Sequence, residues 1–258
     1  MANQSFVDQL GRTVEFTFPP KRIISLVPSQ TELLFYMGLG NSLVGITKFC
    51  THPVGEVQRI TKVGGTKTVR FDLIDQLQPD LIIGNKEENE REAIARLAEK
   101  YPVWMSDINS FDDALSMMQA IGELTNRQHA AVILMNEIRN VFATLQQRSG
   151  QSALYLIWKS PWMAAGKNTF IDALLTKAGW LNTTIQERYP ALTDAQIQAM
   201  TPEVVFLSSE PFPFAEKHIA ELKLLLPNAK VMLVDGEMFS WYGNRMLLAP
   251  AYFNSLLV

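Results

Sequence analysis

The chain has 258 residues, of which 47% are hydrophobic and 19% are charged, so it can form one large globular domain or two ordinary ones. Its formal net charge is −3 and it has no basic run that could follow a phosphate backbone, which excludes nucleic acid as a partner. No apolar segment approaches the roughly 20 residues that span a bilayer, so no membrane insertion is expected. The single cysteine, Cys50, excludes an internal disulfide.

The N-terminus, M-A-N-Q-S-F-V-D-Q-L, has neither a cationic segment nor an apolar one after it. A secretory signal needs both, so none is visible. We therefore expect a cytoplasmic protein for the sequence as it stands. A periplasmic location is the alternative if a leader has been removed.

In chain order, the first part of the sequence alternates between strand and helix patterns. Val14 to Phe18 alternates as a strand does, and Arg22 to Val27 is apolar enough for a buried strand. Ser29, with Glu32 three residues later, has the spacing of a capping box, which predicts that Ser29 caps a helix over Thr31 to Met37. The next predicted elements are a strand at Leu43 to Ile46, a helix at Asp72 to Leu77, a strand at Leu81 to Ile83, a helix at Glu88 to Lys100 and a strand at Val103 to Met105.

From Phe111 to Leu145 the pattern is helical almost throughout, with an interruption at Thr125 and Asn126. It predicts one helix to about Leu124 and then a helix of roughly 20 residues, about 30 Å long. We therefore divide the chain into an N-terminal α/β lobe (1–124), a connecting long helix (125–149) and a C-terminal α/β lobe (150–258). The last lobe is predicted to contain strands at Ala153 to Trp158, Val204 to Leu207 and Lys230 to Val234, and helices at Asn168 to Lys177, Asp194 to Met200 with Thr193 as its cap, Ala215 to Leu226 and from about Asn244 onward.

Two segments of the chain are alike. Ile74 to Ile83 reads I-D-Q-L-Q-P-D-L-I-I, and Ile197 to Phe206 reads I-Q-A-M-T-P-E-V-V-F. Each contains an amphipathic stretch, a proline, an acidic residue and an apolar run, and each is followed by a helix pattern and a second strand that ends in Asp. We interpret this repetition as two similar Rossmann-like lobes with parallel sheets joined by one long helix, although chance resemblance between α/β segments is the alternative.

Ligands of open α/β sheets bind outside the carboxyl ends of the strands. In this chain, the loops at these ends are rich in aromatic residues. Such side chains suit a flat or amphipathic ligand, whereas the alternative is that they plug the ends of the lobes. The candidate ligand-binding residues in these loops are Ser29, Phe49, Cys50, His52, Trp162, Met163, Tyr189, Phe239, Trp241, Tyr242 and Arg245.

Cys50 and His52 form a C-x-H pair. Thiolate and imidazole are good ligands for soft metals, so either residue could supply an axial ligand to a metal that a chelator already holds. The pair is too small for a metal site made by protein alone. A Cys-His nucleophile is the alternative, because i,i+2 spacing in a strand-like loop places both side chains on one face. The sequence has no phosphate-binding, dinucleotide-binding, serine hydrolase or zinc protease motif.

Three motifs are similar to the helical-backbone metal receptor superfamily, the class III substrate-binding proteins of ABC transporters, and most of all to its cobalamin-binding branch. They are R-I-I-S-L-V-P-S-Q-T-E-L-L-F-Y-M-G-L-G at Arg22 to Gly40, V-G-I-T-K-F-C-T-H-P at Val44 to Pro53 and D-L-I-D-Q-L-Q-P-D-L-I-I at Asp72 to Ile83. The resemblance continues through A-A-G-K at Ala164 to Lys167 and the block around Arg245.

The resemblance implies a monomeric, non-enzymatic protein with no cofactor of its own. It implies that a metal chelate, either a corrinoid, haem or a ferric siderophore, binds in the cleft between the lobes for ABC-type uptake. It also implies that Asp72 and Asp194 lie near the positions where the family docks onto a permease. A cytoplasmic enzyme or chelate-handling factor that uses Cys50 and His52 on the same scaffold is the alternative.

Overall fold

The computed structural model describes residues 2–146 and 150–256. The described residues leave out 1, 147–149 and 257–258. These positions lie at the ends of the predicted divisions 1–124, 125–149 and 150–258. The chain forms two compact units, one with residues 1–108, 112–139 and 242–244, the other with residues 109–111, 140–241 and 245–258. In the described ranges, no helix combines the length and the apolar composition that crossing a membrane requires.

The first part of the chain alternates between strands and helices, as predicted. Its elements are β1 (Asn3–Val7), β2 (Thr13–Thr17), β3 (Ile23–Ser25), α1 (Pro28–Tyr36), β4 (Leu43–Ile46), β5 (Thr61–Lys62), α2 (Phe71–Leu77), β6 (Leu81–Asn85), α3 (Arg91–Ala98), β7 (Val103–Ser106), α4 (Phe111–Leu124) and α5 (Gln128–Phe142).

A five-stranded parallel sheet forms the centre of the first unit, with the strand order β5-β4-β3-β6-β7. Strands β3 and β6 are buried at every residue, which explains why their sequences are apolar runs without alternation. A hydrophobic cluster packs Ile24 and Ile82 of the sheet against Ile74 of α2 and Leu97 of α3. Loops therefore follow the carboxyl ends of the parallel strands.

The second part of the chain begins with a longer strand. Its elements are β8 (Ser152–Trp158), β9 (Trp162–Ala164), α6 (Phe170–Lys177), β10 (Leu181–Asn182), β11 (Ala191–Leu192), α7 (Asp194–Met200), β12 (Val204–Ser208), α8 (Glu216–Leu225), β13 (Lys230–Val234), α9 (Glu237–Ser240) and α10 (Ala249–Ser255).

The sheet of the second unit has the order β11-β9-β8-β12-β13, and β10 also pairs with β8. Strands β10, β8, β12 and β13 are parallel, whereas β9 is antiparallel to both β8 and β11. The predicted α/β class with two similar lobes is confirmed, but this second sheet is mixed instead of purely parallel. The reason is local, because the three residues between β8 and β9 allow only a hairpin, while a parallel crossover needs a much longer connection.

The sequence repeat corresponds to a repeat in structure. Helices α2 and α7 both end at a residue in the left-handed conformation, Gln78 with φ of 44° and Thr201 with φ of 42°. Each is followed by a buried proline and a buried strand, β6 or β12. The orders β3-β6-β7 and β8-β12-β13 are then the same, with parallel neighbours in both units.

Several predicted boundaries are wrong. Helix α1 begins at Pro28 and its N-cap is Val27, not Ser29, because a proline keeps the residue before it extended and favours the first helical position itself. Helix α5 has 15 residues, fewer than predicted. Beyond its end, the Thr144 hydroxyl donates to the Val141 carbonyl at 2.7 Å and so competes with the helical hydrogen bonds. The last helix begins at Ala249, while Asn244 starts a short 3-10 turn.

Candidate ligand-binding site

The loop after β4 covers a buried group of hydroxyls and one thiol. Cys50 is only 3% exposed, and its Sγ lies 3.2 Å from Thr31 Oγ1 and 3.3 Å from Thr47 Oγ1. The Thr31 hydroxyl also lies 2.8 Å from Ser25 Oγ. Burial raises the pKa of the Cys50 thiol, and this effect exceeds the opposing effect of the two threonine hydroxyls. The thiol is therefore protonated at neutral pH, whereas a cysteine nucleophile has to be a thiolate.

His52 lies in the same loop but in different surroundings. Its side chain is half-buried, and the His52–Pro53 peptide bond is cis. The chain turns at Lys48 and Phe49, and Cys50 to His52 follow without regular secondary structure. Among the residues that the structure describes, no three His, Cys, Asp or Glu side chains come together in a group that could hold a metal ion.

Phe49 is the most exposed of the candidate ligand-binding residues, with 51% of its surface accessible. The Lys48 ammonium lies 5.0 Å from its ring centroid. The ring lies against Gly65, since a Cβ atom at that position would be 3.1 Å from it. Ser29, by contrast, is buried in the first turn of α1. The carboxyl edge of the first sheet thus presents one flat apolar ring beside a positive charge.

A buried polar network lies beneath this edge and was not predicted from the sequence. The Gln30 amide donates to Ser106 Oγ at 2.5 Å, and the Asn85 amide donates to the same oxygen at 3.0 Å. The Asn85 backbone N–H in turn donates to Asn89 Oδ1 at 2.9 Å. Asn85 and Ser106 are the last residues of β6 and β7, so polar residues that close two apolar strands were the available signal.

In the second unit, β9 and β11 bring Met163 and Tyr189 to neighbouring positions. Met163 is directly opposite Ala191 in the pairing of the two strands. The Ala164 N–H donates to the Pro190 carbonyl at 3.1 Å, so Tyr189 lies just beyond the paired residues. Both the Met163 and the Tyr189 side chains are half-buried. They are the accessible candidates on this side of the second sheet.

Trp162 precedes Met163 on β9 and belongs to the hydrophobic core of the second unit. Its ring stacks on Phe214, with centroids 6.2 Å apart and an interplanar angle of 9°. Its indole N–H donates to Asp194 Oδ1 at 2.9 Å. Most of the Trp162 surface is therefore used in packing.

Helix α9 occupies a segment that was predicted to be a loop. Phe239 is fully buried there, among five aromatic rings. Tyr242, three residues further, is also buried. These two buried rings match the alternative that loop aromatics fill the ends of the lobes.

Trp241 and Arg245 form a connected polar group in the second unit. The Trp241 indole N–H donates to Glu210 Oε1 at 2.8 Å. The Arg245 guanidinium lies 5.0 Å from the Trp241 ring and forms an ion pair with Glu237 at 2.8 Å. Glu210 was not predicted from the sequence, and its position directly after the buried strand β12 was the available signal.

A further aromatic group at the carboxyl end of β8 was also missed. Trp158 is 38% exposed, and its ring contacts Phe212 edge-to-face at 5.5 Å. Phe212 and Phe214 both contact the His218 ring, at 5.4 and 5.3 Å. His218 is buried, and its Nδ1 accepts the Ala215 N–H at 2.9 Å. The F-P-F run at 212–214 was the signal in the sequence.

A family model described as periplasmic binding protein matches residues 23–224, which is most of the chain. This chain belongs to the periplasmic binding protein family. The family is one of binding proteins.

Two curated relatives and one solved structure illustrate the similarity. The uncharacterized ABC transporter substrate-binding lipoprotein YvrC of Bacillus subtilis (strain 168) is 26% identical over 211 residues, 77% of this chain and 67% of that protein. A vitamin B12-binding protein of Pectobacterium carotovorum subsp. carotovorum (strain PC1) is 23% identical over 240 residues, 89% and 86% of the two chains. The apo periplasmic heme-binding protein RhuT of Roseiflexus sp. RS-1 has a TM-score of 0.79 at 19% identity, over 91% and 98% of the chains.

Two acidic residues of this periplasmic binding protein lie in the first turns of the repeated helices α2 and α7, although Asp194 is one residue before Ala195, the counterpart of Asp72 in the repeat. Asp72 is exposed in the first turn of α2, and Asp194 is exposed in the first turn of α7. The Arg70 guanidinium donates to Asp72 at 2.8 Å and lowers the pKa of its carboxyl. Asp194 accepts the Trp162 indole N–H. Both carboxylates are exposed, but each already has a partner in its own unit.

Proposed function

We propose that this chain is the substrate-binding component of an ABC-type uptake system and that its ligand is a metal chelate of the corrinoid, haem or ferric siderophore type. The observation that carries the proposal is a set of accessible flat and polarisable side chains in a periplasmic binding protein, one at the carboxyl edge of the first sheet and two beside the paired strands β9 and β11 of the second. These side chains are Phe49 in the first unit and Met163 and Tyr189 in the second. Aromatic and thioether groups provide broad apolar contact for a large planar ligand.

The relatives support this ligand class and a location outside the cytoplasm. One is a vitamin B12-binding protein, a structural neighbour is a periplasmic heme-binding protein, and another relative is an ABC transporter lipoprotein. We propose that Asp72 and Asp194 take part in docking onto the permease, because they are exposed carboxylates in the first turns of the repeated helices α2 and α7. For Asp72 to make that contact, its ion pair with Arg70 would have to be replaced by an interaction with the permease.

We also propose that His52, and not Cys50, reaches the axial position of the chelated metal. The His52 imidazole is half-exposed, whereas the Cys50 thiol is buried beside two threonine hydroxyls and carries a proton. Neutral imidazole is a common ligand for iron and cobalt centres. The loop that holds His52 also holds Phe49, so one segment would supply both a flat contact and a metal ligand.

The test is titration of the purified protein with cobalamin, cobinamide, haemin and a ferric hydroxamate, followed by absorbance and calorimetry. We expect saturable binding of at least one chelate with a shifted metal-centred spectrum. His52→Ala should remove the spectral shift, while Cys50→Ala serves as the matched control and should keep it. Absence of binding across the panel would contradict the proposed function. A shift that survives in His52→Ala but is lost in Cys50→Ala would reverse the assignment of the axial ligand.

A further inference from the structure

The segment that carries Tyr189 is held by an unusual double loop in the second unit. The backbone of residues 186–188 pairs with that of residues 166–168 through three hydrogen bonds of 2.8 Å. The approach is so close that a Cβ atom on Gly166 would lie 2.1 Å from the Gln186 carbonyl oxygen. Only glycine fits there. The backbone path of residues 186–190 is therefore set by contacts with the segment that begins at Gly166.

Two residues of this double loop have the left-handed backbone conformation although neither is glycine. Arg188 has φ of 61° and Asn168 has φ of 58°. Such conformations are unfavourable for residues with a side chain and persist where the surroundings hold them. Asn168 is additionally tied to the segment, since its side-chain amide donates to Glu187 Oε1 at 3.0 Å.

The Arg188 side chain is what connects the double loop to a third segment. Its Nη1 donates to Asn109 Oδ1 at 2.6 Å and to the Asn168 carbonyl oxygen. The guanidinium also lies 5.9 Å from the Tyr189 ring. Because the guanidinium is charged, each of these hydrogen bonds is stronger than one from a neutral donor. Arg188 thus joins residues 109, 168 and 189, which are far apart in the sequence.

We propose that Arg188 is a positioning residue for ligand binding, which holds the Tyr189 ring in its binding orientation by tying Asn109 to Asn168. This role rests on the function proposed above, because it takes Tyr189 to be a ligand contact. The left-handed backbone at Arg188 sets the direction in which the next side chain leaves the chain. The guanidinium keeps that backbone in place. Without the side chain, the Tyr189 ring would sample several orientations and the ligand would bear the entropic cost of ordering it.

The variant that tests the role is Arg188→Gly. It removes the guanidinium but keeps a residue that tolerates positive φ, so backbone strain cannot explain a loss of binding. Asn126→Gly is the matched control, since Asn126 has φ of 58° in the connection between α4 and α5. We expect Arg188→Gly to weaken chelate binding by roughly tenfold, the effect of losing a charge-assisted hydrogen bond, and Asn126→Gly to leave it unchanged.

A double-mutant cycle with Tyr189→Ala separates positioning from direct contact. If Arg188 acts through Tyr189, Arg188→Gly should change the affinity by less than about twofold when Tyr189 is already alanine. An undiminished loss in the Tyr189→Ala background would overturn the proposal, because Arg188 would then contact the ligand itself or support the whole unit.

A ligand-free measurement keeps the inference independent of the ligand panel. The six tyrosines can be labelled with 3-fluorotyrosine, and the Tyr189 signal can be assigned with Tyr189→Phe. Arg188→Gly should shift or broaden this 19F resonance, and Asn126→Gly should not. An unchanged Tyr189 resonance in Arg188→Gly would overturn the role of Arg188. If no chelate binds the wild-type protein, the proposed function fails, and the 19F spectra still decide whether Arg188 orients Tyr189.

Discussion

Phe239→Ala is expected to destabilise the protein strongly, although Phe239 lies in a segment with the composition of a binding loop. The ring is fully buried. Its centroid lies 4.6 Å from that of Phe253, 4.9 Å from Tyr155, 5.7 Å from Phe206, 6.1 Å from Trp180 and 6.3 Å from Tyr252.

The magnitude follows from burial and from the lost ring pairs. Truncation of a buried Phe to Ala typically costs about 3–5 kcal/mol of the free energy of unfolding. Each aromatic pair contributes about 0.5–1.5 kcal/mol beyond burial, so five pairs place this site at the upper end of that range, at about 5 kcal/mol. Phe239→Leu keeps most of the apolar volume and should cost about 1–2 kcal/mol.

Phe49→Ala is the matched control, because it makes the same chemical change at a ring that is half-exposed. The free energy of unfolding should change by no more than about 0.5 kcal/mol. Chelate affinity should fall by roughly tenfold, since the ligand would lose an apolar face worth about 1.4 kcal/mol. The two variants are therefore expected to show opposite effects on stability and on binding.

The assay is urea unfolding followed by circular dichroism, with chelate titration of each folded variant. The expected result for Phe239→Leu is a lower unfolding midpoint and an affinity close to that of the wild-type protein. If Phe49→Ala lowered the free energy of unfolding as much as Phe239→Ala does, burial would not be what distinguishes the two rings. If Phe239→Leu lost affinity without losing stability, Phe239 would be a ligand contact and not a core residue.

Three further predictions concern single side chains. Thr193→Ala should cost about 1 kcal/mol in urea unfolding, because it removes the capping box of α7; an unchanged midpoint would show that the cap contributes nothing. Cys50 should react with Ellman's reagent only as fast as the protein opens, and a rapid reaction at neutral pH would contradict its burial and raised pKa. Burial lowers the pKa of His218 in the folded protein below its unfolded value of about 6.5. The stability that comes from the neutral imidazole should therefore be complete above pH about 6.5. It should be lost as the pH falls toward the lower pKa of the folded state. His218→Gln, whose oxygen can still accept the Ala215 N–H, should show a shallower loss in urea midpoints measured across this range, and parallel curves would disprove the assignment.

Most of the element order could be predicted because it depends on local patterns. The apolar runs at β3 and β6 indicate strands buried on both faces, and the structure buries them at every residue. The Thr193 cap was predicted, and both hydrogen bonds of its capping box with Gln196 are present. Strands β9 and β11 were missed because they have three and two residues, too few for a pattern.

The sequence by itself determined the α/β class, the repeated helix-strand units and the family, because periodicity and short motifs are local properties of the chain. Only the tertiary structure decided which aromatic rings are accessible. Phe49 and Phe239 both follow apolar strands, yet one is half-exposed and the other is completely buried. Burial depends on what distant segments place around a ring, and for Phe239 these are β8, β12, α10 and the turn after α6. Cys50 and His52 differ in the same way, because helix α1 supplies the threonine that helps to bury the thiol.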